Sequence, residues 1–272
     1  NSAADTAYEV ANSCRFNDGD SAYMHKTPGG AGNRRTFTFS TWVKRGNLGD
    51  ATLFTAGADS NVDAYFTIYF SSEAIRVRIY ESSAKDVVTS MLFRDVTAWY
   101  HIVVAVDTTQ GTAANRVKIY VNGSEAAKAS GSYASEDFDT SVNNTVIQQV
   151  GVGRDSSGNL SNYFDGYLAE TVLIDGSALT HTSFGEFDED SPTIWKPIDV
   201  SGLTFGTNGF YLDFEDSANL GNDANGGTDF TESNLAATDQ ATDTPTNNFA
   251  TFNPLSQPHA DLTFSEGNTK MT

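Results

Sequence analysis

Residues 36–44 read TFTFSTWVK, and this stretch decides the fold class. Apolar and polar side chains alternate along it, and aromatic and threonine residues dominate, as in a β-strand with one face in a core. The alternation predicts that Phe37 and Phe39 point inward. Trp42 or Val43 should continue this row after a shift in phase near Trp42.

Further runs of the same kind follow, separated by clusters of turn-forming residues. Ser71-Ser72-Glu73 between two such runs predicts a hairpin, and one short helical turn is expected over 178–186. No other segment has the pattern of a helix, which argues against a βαβ fold. The sequence therefore predicts an all-β sandwich or jelly roll of antiparallel sheets. The further strands are expected at 64–70, 74–80, 87–93, 100–106, 116–121, 146–152, 163–174 and 210–214.

The charge of the chain is concentrated in its second half. The net charge is −19, and residues 131–272 hold 22 Asp and Glu against three basic residues, Arg154, Lys196 and Lys270. Such a surface repels nucleic acid and anionic lipid. No apolar stretch reaches the roughly 18 residues that a membrane helix needs, so no membrane insertion is expected. Cys14 is the single cysteine, which excludes an intrachain disulfide and a thiolate metal centre.

Composition divides the chain into three parts. Residues 1–214 carry the predicted strands of one domain. Residues 215–248 are rich in Asp, Asn, Thr and Gly and contain no Lys or Arg, which predicts an acidic loop or linker outside the core. Residues 249–272 become apolar again and are expected to begin a further β element.

Five segments in order resemble the laminin-G-like and concanavalin A-like lectin and glucanase superfamily. They are 15–23, 37–44, 99–105, 117–123, and 151–153 together with 163–170. This resemblance implies a concanavalin A-like jelly-roll sandwich of two antiparallel sheets, followed by an extended C-terminal segment.

Four segments are more specifically similar to a subgroup found in tail-fibre and virion proteins of marine bacteriophages. They are 32–36, 165–170, 207–214 and 243–255. The resemblance implies a virion or extracellular location, a SPRY-like element after 249, and a homo-oligomer. Its partners would be host-surface polysaccharide or other virion subunits. Three functions stay open at this point: a non-enzymatic glycan-binding domain, a structural assembly module without sugar binding, and a carbohydrate-active hydrolase.

Calcium is the ion that the sequence favours, because calcium takes six to eight oxygen ligands from carboxylates, amides and carbonyls. Two groups could supply such oxygens; otherwise the sequence implies no cofactor. The alternative for both is that Asp and Asn complete turns through local hydrogen bonds. The first group is Asp18, Asp20, Asp165 and Glu170, and the second, weaker group is Asp216, Asn219, Asn222, Asp223, Asn225 and Asp229.

No catalytic residue is assigned. Residues 186–190 read EFDED, close to the Glu-x-Asp-x-Glu of laminarinase-type glycosidases, but Asp190 replaces the second Glu and the run is expected in a loop. His101 lies on a predicted strand and should be structural, and Trp42 and Trp99 are assigned to the core. A glycan would stack on exposed rings, although no one of them can be assigned to sugar binding. The candidates are Tyr65, Tyr69, Tyr80, Tyr133, Tyr163 and Trp195.

Overall fold

The computed structural model describes residues 8–57, 65–155 and 158–250, together with the backbone of 264–265 and 270–271. Within these residues the chain is built from short and medium strands and four 3₁₀ turns, at Asp18–Asp20, Ala113–Asn115, His181–Ser183 and Ala237–Asp239. The strands are β1 (Ser13–Phe16), β2 (Tyr23–Lys26), β3 (Thr36–Arg45), β4 (Ala51–Gly57), β5 (Tyr65–Ser71), β6 (Ala74–Glu81), β7 (Ser83–Thr89), β8 (Tyr100–Asp107), β9 (Val117–Val121), β10 (Ser124–Glu125), β11 (Lys128–Gly131), β12 (Gln148–Val150), β13 (Gly153–Arg154), β14 (Leu160–Ser161), β15 (Gly166–Asp175), β16 (Gly185–Phe187), β17 (Trp195–Pro197), β18 (Phe210–Leu212), β19 (Thr231–Ser233), β20 (Gln240–Ala241), β21 (Phe264–Ser265) and β22 (Lys270–Met271).

Two large antiparallel sheets form a sandwich, which confirms the predicted all-β jelly roll. Sheet 1 has the order β10-β9-β8-β3-β15-β1-β20, with β18 paired to β15 as well. Sheet 2 has the order β11-β7-β6-β5-β4-β12-β2-β19. Consecutive strands are often neighbours, as in β4-β5-β6-β7, because short turns join antiparallel partners.

The core between the sheets is aromatic. Phe37 of sheet 1 meets Phe66 of sheet 2 edge to face at 5.3 Å between ring centroids, and Phe39 stacks on Phe54 at 5.1 Å. Both inward positions confirm the prediction for residues 36–44. Val43 lies in the same core cluster and is confirmed, but the expected shift in phase is wrong, because Val43 is in step with Phe37 and Phe39 whereas Trp42 packs in a separate cluster. Thr41 lies between Phe39 and Val43 on the same side of β3. Its hydroxyl is satisfied there by the Thr171 hydroxyl at 2.8 Å.

The hairpin predicted at residues 71–73 is present between β5 and β6, with Ser71 opposite Ala74. The next strand differs from the prediction of 87–93, since β7 covers Ser83–Thr89. A second tight turn explains the difference: Ser82 has φ 51°, which reverses the chain directly after β6. The predicted helical turn is the 3₁₀ turn His181–Ser183.

The central strands of sheet 1 are buried on both of their faces. All residues of β15 and all but the first of β3 are buried. The outer face is covered by residues before β1 and after β15, with Val10 packed in one cluster and Phe184, Val200 and Phe205 in a second. The chain therefore covers the middle of this sheet with the segments that precede β1 and follow β15.

The segment 215–248 contributes to both sheets, so the expectation that it lies outside the core is wrong. Its Leu220 and Phe230 side chains are buried in the main core. The ring centroids of Phe230 and Phe210 are 4.7 Å apart. β19 extends sheet 2 beside β2, and β20 extends sheet 1 beside β1. A few apolar residues are enough to hold this segment against the sheets, because Asp and Asn side chains accept hydrogen bonds from the backbone of the turns between them.

A buried ion pair attaches the end of this segment to sheet 1. The Lys44 ammonium lies 2.8 Å from the Asp243 carboxylate, and both side chains are at most 5% exposed. Lys44 also donates to Asn248 Oδ1 and to the Phe249 carbonyl oxygen, both at 2.8 Å. The Trp99 indole N–H donates to Asp243 Oδ1 at 3.0 Å.

Much of 249–272 lies outside the described residues. Its described part includes β21 and β22, which pair with each other. The SPRY-like element stays a prediction. In the described part of the chain, no helix is long and apolar enough to cross a membrane.

The Lys44 ion pair should be a major determinant of stability. Lys44→Met leaves Asp243 buried without its counter-charge, which typically costs about 3 kcal/mol or more. We expect a correspondingly lower urea midpoint for unfolding. Arg94→Gln is the matched control, because it removes one positive charge from an ion pair whose arginine is 60% exposed. Equal urea midpoints for Lys44→Met and Arg94→Gln would show that the Lys44 ion pair is not a major determinant of stability.

Candidate functional site

The outer face of sheet 2 carries the candidate site. Along β5 and β6, apolar side chains enter the core while Tyr65, Tyr69, Arg76, Arg78 and Tyr80 alternate with them. Alternation on neighbouring strands of a hairpin places these five residues on one face. This face carries partly exposed aromatic and charged side chains.

Four of these five side chains, Tyr65, Tyr69, Arg78 and Tyr80, line a groove of about 330 Å³, here called the tyrosine groove. Its size lies at the lower end of the range for small-molecule sites, about 300–1,000 Å³. The hairpin of β13 and β14 forms one wall, and it approaches closely because residue 153 is glycine: a Cβ there would lie 2.5 Å from the Thr52 hydroxyl oxygen. The lining residues are Thr52, Thr55, Gly57, Tyr65, Thr67, Tyr69, Arg78, Tyr80, Gly153, Arg154, Asp155, Gly158 and Asn162.

Three tyrosine rings give the groove its aromatic surface. Tyr65 and Tyr80 stack on each other, with ring centroids 5.3 Å apart and planes 18° from parallel. Tyr69 lies beside the guanidinium of Arg78, 5.7 Å from ring centroid to Cζ. Burial raises the pKa of Tyr69, so its hydroxyl is a neutral hydrogen-bonding group at physiological pH.

Asp86, which lies opposite Arg78 on the neighbouring strand β7, holds the Arg78 guanidinium in place. Its Nε and Nη2 donate to the two carboxylate oxygens at 2.7 and 2.8 Å, and Nη1 donates to the Tyr65 hydroxyl at 3.3 Å. Arg76 donates to the same carboxylate at 2.9 Å. Burial alone would raise the pKa of Asp86, but the hydrogen bonds and charges of Arg78 and Arg76 lower it. The network fixes Tyr65 and Arg78 before any ligand arrives.

Arg154 enters the groove from the β13–β14 hairpin. Its Nε donates to Gln149 Oε1 at 3.0 Å, and its Nη1 donates to the Gly158 carbonyl oxygen at 2.7 Å. Both acceptors are neutral, and a guanidinium has five N–H donors. Two hydrogen bonds therefore orient Arg154 without consuming its charge.

Sequence reasoning did not single out Arg78 or Arg154. A signal for Arg78 was present, because Arg76 and Arg78 alternate with Ile75, Val77 and Ile79 and so share a face with Tyr80. Arg154 gave no such signal, since its position depends on how the hairpin folds back over β4.

The structure brings together two members of the first predicted calcium group. The Asn47 amide nitrogen donates to Asp18 Oδ2 and Asp165 Oδ2, both at 3.2 Å. Asp20 instead accepts from the Asn17 amide at 2.7 Å. Burial, followed by the charge of Asp18, raises the pKa of Asp165 to about 6. The Asn47 amide therefore links the two carboxylates with one hydrogen bond to each.

Glu170, the fourth member, lies in a separate environment. Its Oε2 accepts from the Tyr211 hydroxyl at 2.8 Å and from the Tyr8 hydroxyl at 3.1 Å. The residue adopts φ 47° where the register of β3 and β15 shifts, a bulge that redirects the side chain. Burial raises its pKa to about 7.

The second predicted calcium group folds around a lysine. The ammonium of Lys26 lies 3.5 Å from Asp223 Oδ2 and 4.6 Å from the Phe230 ring centroid. Asp223 Oδ1 accepts the backbone N–H of Tyr211 at 2.9 Å and that of Asn225 at 3.2 Å. Lys26 supplies positive charge to this carboxylate.

The other members of the second group complete turns. Asp216 accepts the N–H of Ala218 at 2.9 Å, and Asp229 accepts from Asn219 Nδ2 at 2.9 Å and from the N–H of Asp223 at 3.0 Å. Asn222 donates its backbone N–H to the Asn219 carbonyl oxygen at 3.0 Å. Across the described ranges, no three His, Cys, Asp or Glu side chains are arranged to hold a metal ion.

Three of the six aromatic candidates are outside the groove. Tyr163 packs against Tyr23, with 6.2 Å between the ring centroids, and Tyr133 lies near the Lys128 ammonium. Trp195 packs over the opposite sheet, where its indole N–H donates to His101 Nδ1 at 2.9 Å. Trp42 and Trp99 are buried, as predicted.

His101 and Ser40 are hydrogen-bonded but do not form a nucleophile and base. Since Trp195 donates to Nδ1, the neutral ring carries its proton on Nε2 and donates it to the Ser40 hydroxyl oxygen at 2.9 Å. A base would need to accept the serine proton instead. Burial lowers the pKa of His101 to about 3, which keeps the ring neutral.

The carboxylates of 186–190 lie on the small β16–β17 hairpin. Lys196 lies 3.3 Å from Glu186 and 3.6 Å from Asp188. Asp188 also accepts the backbone N–H groups of Asp190 and Ser191 at 3.0 and 2.9 Å. They do not line the tyrosine groove.

Together, the two-sheet sandwich and the polar groove on its uncovered sheet define a concanavalin A-like domain. The family model described as Laminin_G_3, the Concanavalin A-like lectin/glucanases superfamily, matches residues 18–183, and the chain belongs to this family. Among curated proteins, no sequence matches the chain.

The chain is also similar to several solved structures. A Bacteroides ovatus protein assigned to carbohydrate binding is 16% identical with a TM-score of 0.53, and the match covers 86% of this chain and 60% of that one. Domains LG4-5 of the mouse laminin alpha1 chain are 13% identical with a TM-score of 0.47, over 77% of this chain and 49% of that one. A heptameric SAP-like pentraxin from Limulus polyphemus is 17% identical with a TM-score of 0.47, over 64% and 80%.

Glu170 should make the protein less stable as the pH rises. A carboxyl whose pKa is raised by folding contributes stability that is complete below its unfolded value and is lost as the pH rises through its folded value, here about 7. We expect the wild type to lose up to roughly 3 kcal/mol between pH 5 and pH 8 through this group. Glu170→Gln should flatten that part of the profile, measured by urea unfolding at several pH values.

Asp165→Asn is the comparison variant for this profile. The folded pKa of Asp165 is about 6, so this variant should flatten the profile at lower pH than Glu170→Gln does. A Glu170→Gln protein that keeps the full wild-type loss between pH 6 and pH 8 would show that Glu170 does not titrate in that range.

Proposed function

We propose that the chain is a non-catalytic carbohydrate-binding domain whose ligand lies in the tyrosine groove. The observation that carries the proposal is the grouping of Tyr65, Tyr69 and Tyr80 on the uncovered face of sheet 2. Amphipathic rings offer apolar contact to the C–H face of a sugar at low entropic cost. The threonine hydroxyls and Asn162 around them can exchange hydrogen bonds with sugar hydroxyls.

The number of carboxyl groups in the described lining of the groove favours binding over hydrolysis. Glycoside hydrolysis generally uses two carboxyl groups on either side of the scissile bond. Among the described lining residues, Asp155 carries the one carboxyl group. Its oxygens accept from the backbone and side-chain N–H groups of Asn159 at 2.9 and 3.2 Å.

The biological setting that we propose is a tail-fibre-like virion appendage that attaches to host-surface polysaccharide outside the cell. This part rests on the resemblance of residues 32–36, 165–170, 207–214 and 243–255 to virion proteins. Fibres are built from repeated chains, so a homo-oligomer belongs to the same proposal. Light scattering on the purified chain measures the molar mass and therefore the number of chains in the assembly.

Alanine at Tyr65 or Tyr80 should abolish most glycan binding. Removing one of two stacked rings deletes the contact surface for the sugar, and central aromatic anchors typically account for a ten-fold or larger change in affinity. Binding to a glycan array and to whole host cells measures the effect. Tyr133→Ala is the matched control, because it removes a half-buried tyrosine outside the groove.

Thermal unfolding must show that each variant folds. A folded Tyr65→Ala protein that binds as the wild type does would place the ligand elsewhere. A folded wild type that binds no glycan would favour the alternative of a structural assembly module. Parallel arms with CaCl₂ and with a chelator test calcium at Asp18 and Asp165, which stays a prediction.

A further inference from the structure

We infer that the ligand of the tyrosine groove is an acidic glycan, whose carboxylate or sulfate group binds the guanidinium of Arg154. The inference rests on the proposed function and adds the substrate class and a specificity-determining residue. It starts from the charges that line the groove.

The described side chains of the groove carry a small excess of positive charge on a strongly negative chain. Among the described residues, Arg76, Arg78 and Arg154 lie in or beside the groove with the carboxylates of Asp86 and Asp155, which leaves one excess positive charge. The whole chain carries −19. The negative chain repels other acidic surfaces at long range. A small anionic group that enters the groove meets the local positive excess instead.

Arg154 and Arg78 differ in how their charge is matched. Asp86 holds Arg78 through two hydrogen bonds in an ion pair, and Arg76 shares the same carboxylate. Arg154 has neutral acceptors, Gln149 Oε1 and the Gly158 carbonyl oxygen, and no carboxylate lies within ion-pair distance of it among the described residues. The remaining N–H donors of Arg154 can therefore bind an anion without first breaking an ion pair.

The fixed fork of Arg154 favours a planar or tetrahedral oxyanion over a single hydroxyl. An arginine held by two hydrogen bonds loses little entropy on binding, and its paired N–H groups match the oxygens of carboxylate and sulfate. The tyrosine rings nearby bind the sugar that carries the anionic group. The two features together indicate an acidic sugar rather than a free inorganic anion.

The experiment compares polysaccharides of matched size and different charge on the intact chain. Polygalacturonate carries carboxylates, dextran sulfate carries sulfates, dextran is neutral, and inorganic sulfate serves as the free anion. Affinities are measured by biolayer interferometry at pH 7 and constant ionic strength. We expect at least one acidic polymer to bind ten-fold or more tightly than dextran, and inorganic sulfate to bind much more weakly.

Arg154→Gln should remove the preference for the acidic polymer, with a ten- to hundred-fold loss, as expected for a charge-assisted hydrogen bond pair. Arg154→Lys should restore part of the affinity, since it keeps the charge without the fork. Arg94→Gln is the control, because it changes the net charge equally at an exposed arginine outside the groove. Thermal unfolding confirms that each variant folds.

The outcomes separate this inference from the proposed function. Dextran binding as tightly as both acidic polymers, with loss in Tyr65→Ala, would overturn the acidic ligand and keep the glycan-binding domain. Acidic polymers that bind Arg154→Gln and wild type equally would overturn the role of Arg154. No binding of any polymer by the folded wild type would overturn both.

Discussion

The pairing of β3 with β15 is the constraint on which the rest of the structure depends. Both strands are buried along nearly their whole length, so both faces of sheet 1 have to be covered. One face is covered by sheet 2. The other is covered by Val10, Phe184, Val200 and Phe205, from segments before β1 and after β15. Burial of apolar surface at about 25 cal/mol per Å² is what holds these irregular segments in place.

Covering sheet 1 leaves sheet 2 as the sheet with an accessible outer face. Its strands β5 and β6 alternate between core and surface, so Phe66 and Ile68 stabilise the sandwich while Tyr65 and Tyr69 are available for a ligand. Stability and recognition are therefore assigned to opposite faces of the same strands. The rigid pairing of β4, β5 and β6 fixes the distances between the groove side chains.

The sequence was sufficient for the features that depend on local periodicity. Phe37 and Phe39 follow a period of two, and the Ser71–Glu73 turn joins two such runs, so sandwich and hairpin were both predictable. Leu220 and Phe230 were missed because two apolar residues in an Asn- and Asp-rich segment produce no period. Their burial depends on β19 pairing with β2, about 200 residues earlier in the chain.

The predicted acidic groups show the same limit at the level of a site. Asp165 and Glu170 are five residues apart, yet Asp165 meets Asn47 whereas the bulge at Glu170 directs it to Tyr211. Lys26 approaches Asp223 only through the pairing of β2 with β19. Composition can indicate which residue types are available, but long-range pairing decides which of them meet.

The two groove arginines show why charge matching matters more for recognition than charge itself. An arginine bound by a carboxylate, such as Arg78, positions its neighbours but has to weaken its ion pair before it can bind an anion. An arginine oriented by neutral oxygens, such as Arg154, is equally ordered but keeps its charge for the groove. Order without neutralisation is what a specific anion site requires, because the entropy is lost in folding rather than in binding. On a chain with a net charge of −19, long-range repulsion adds a second selection, since an anionic ligand stays bound only where such local contacts outweigh it.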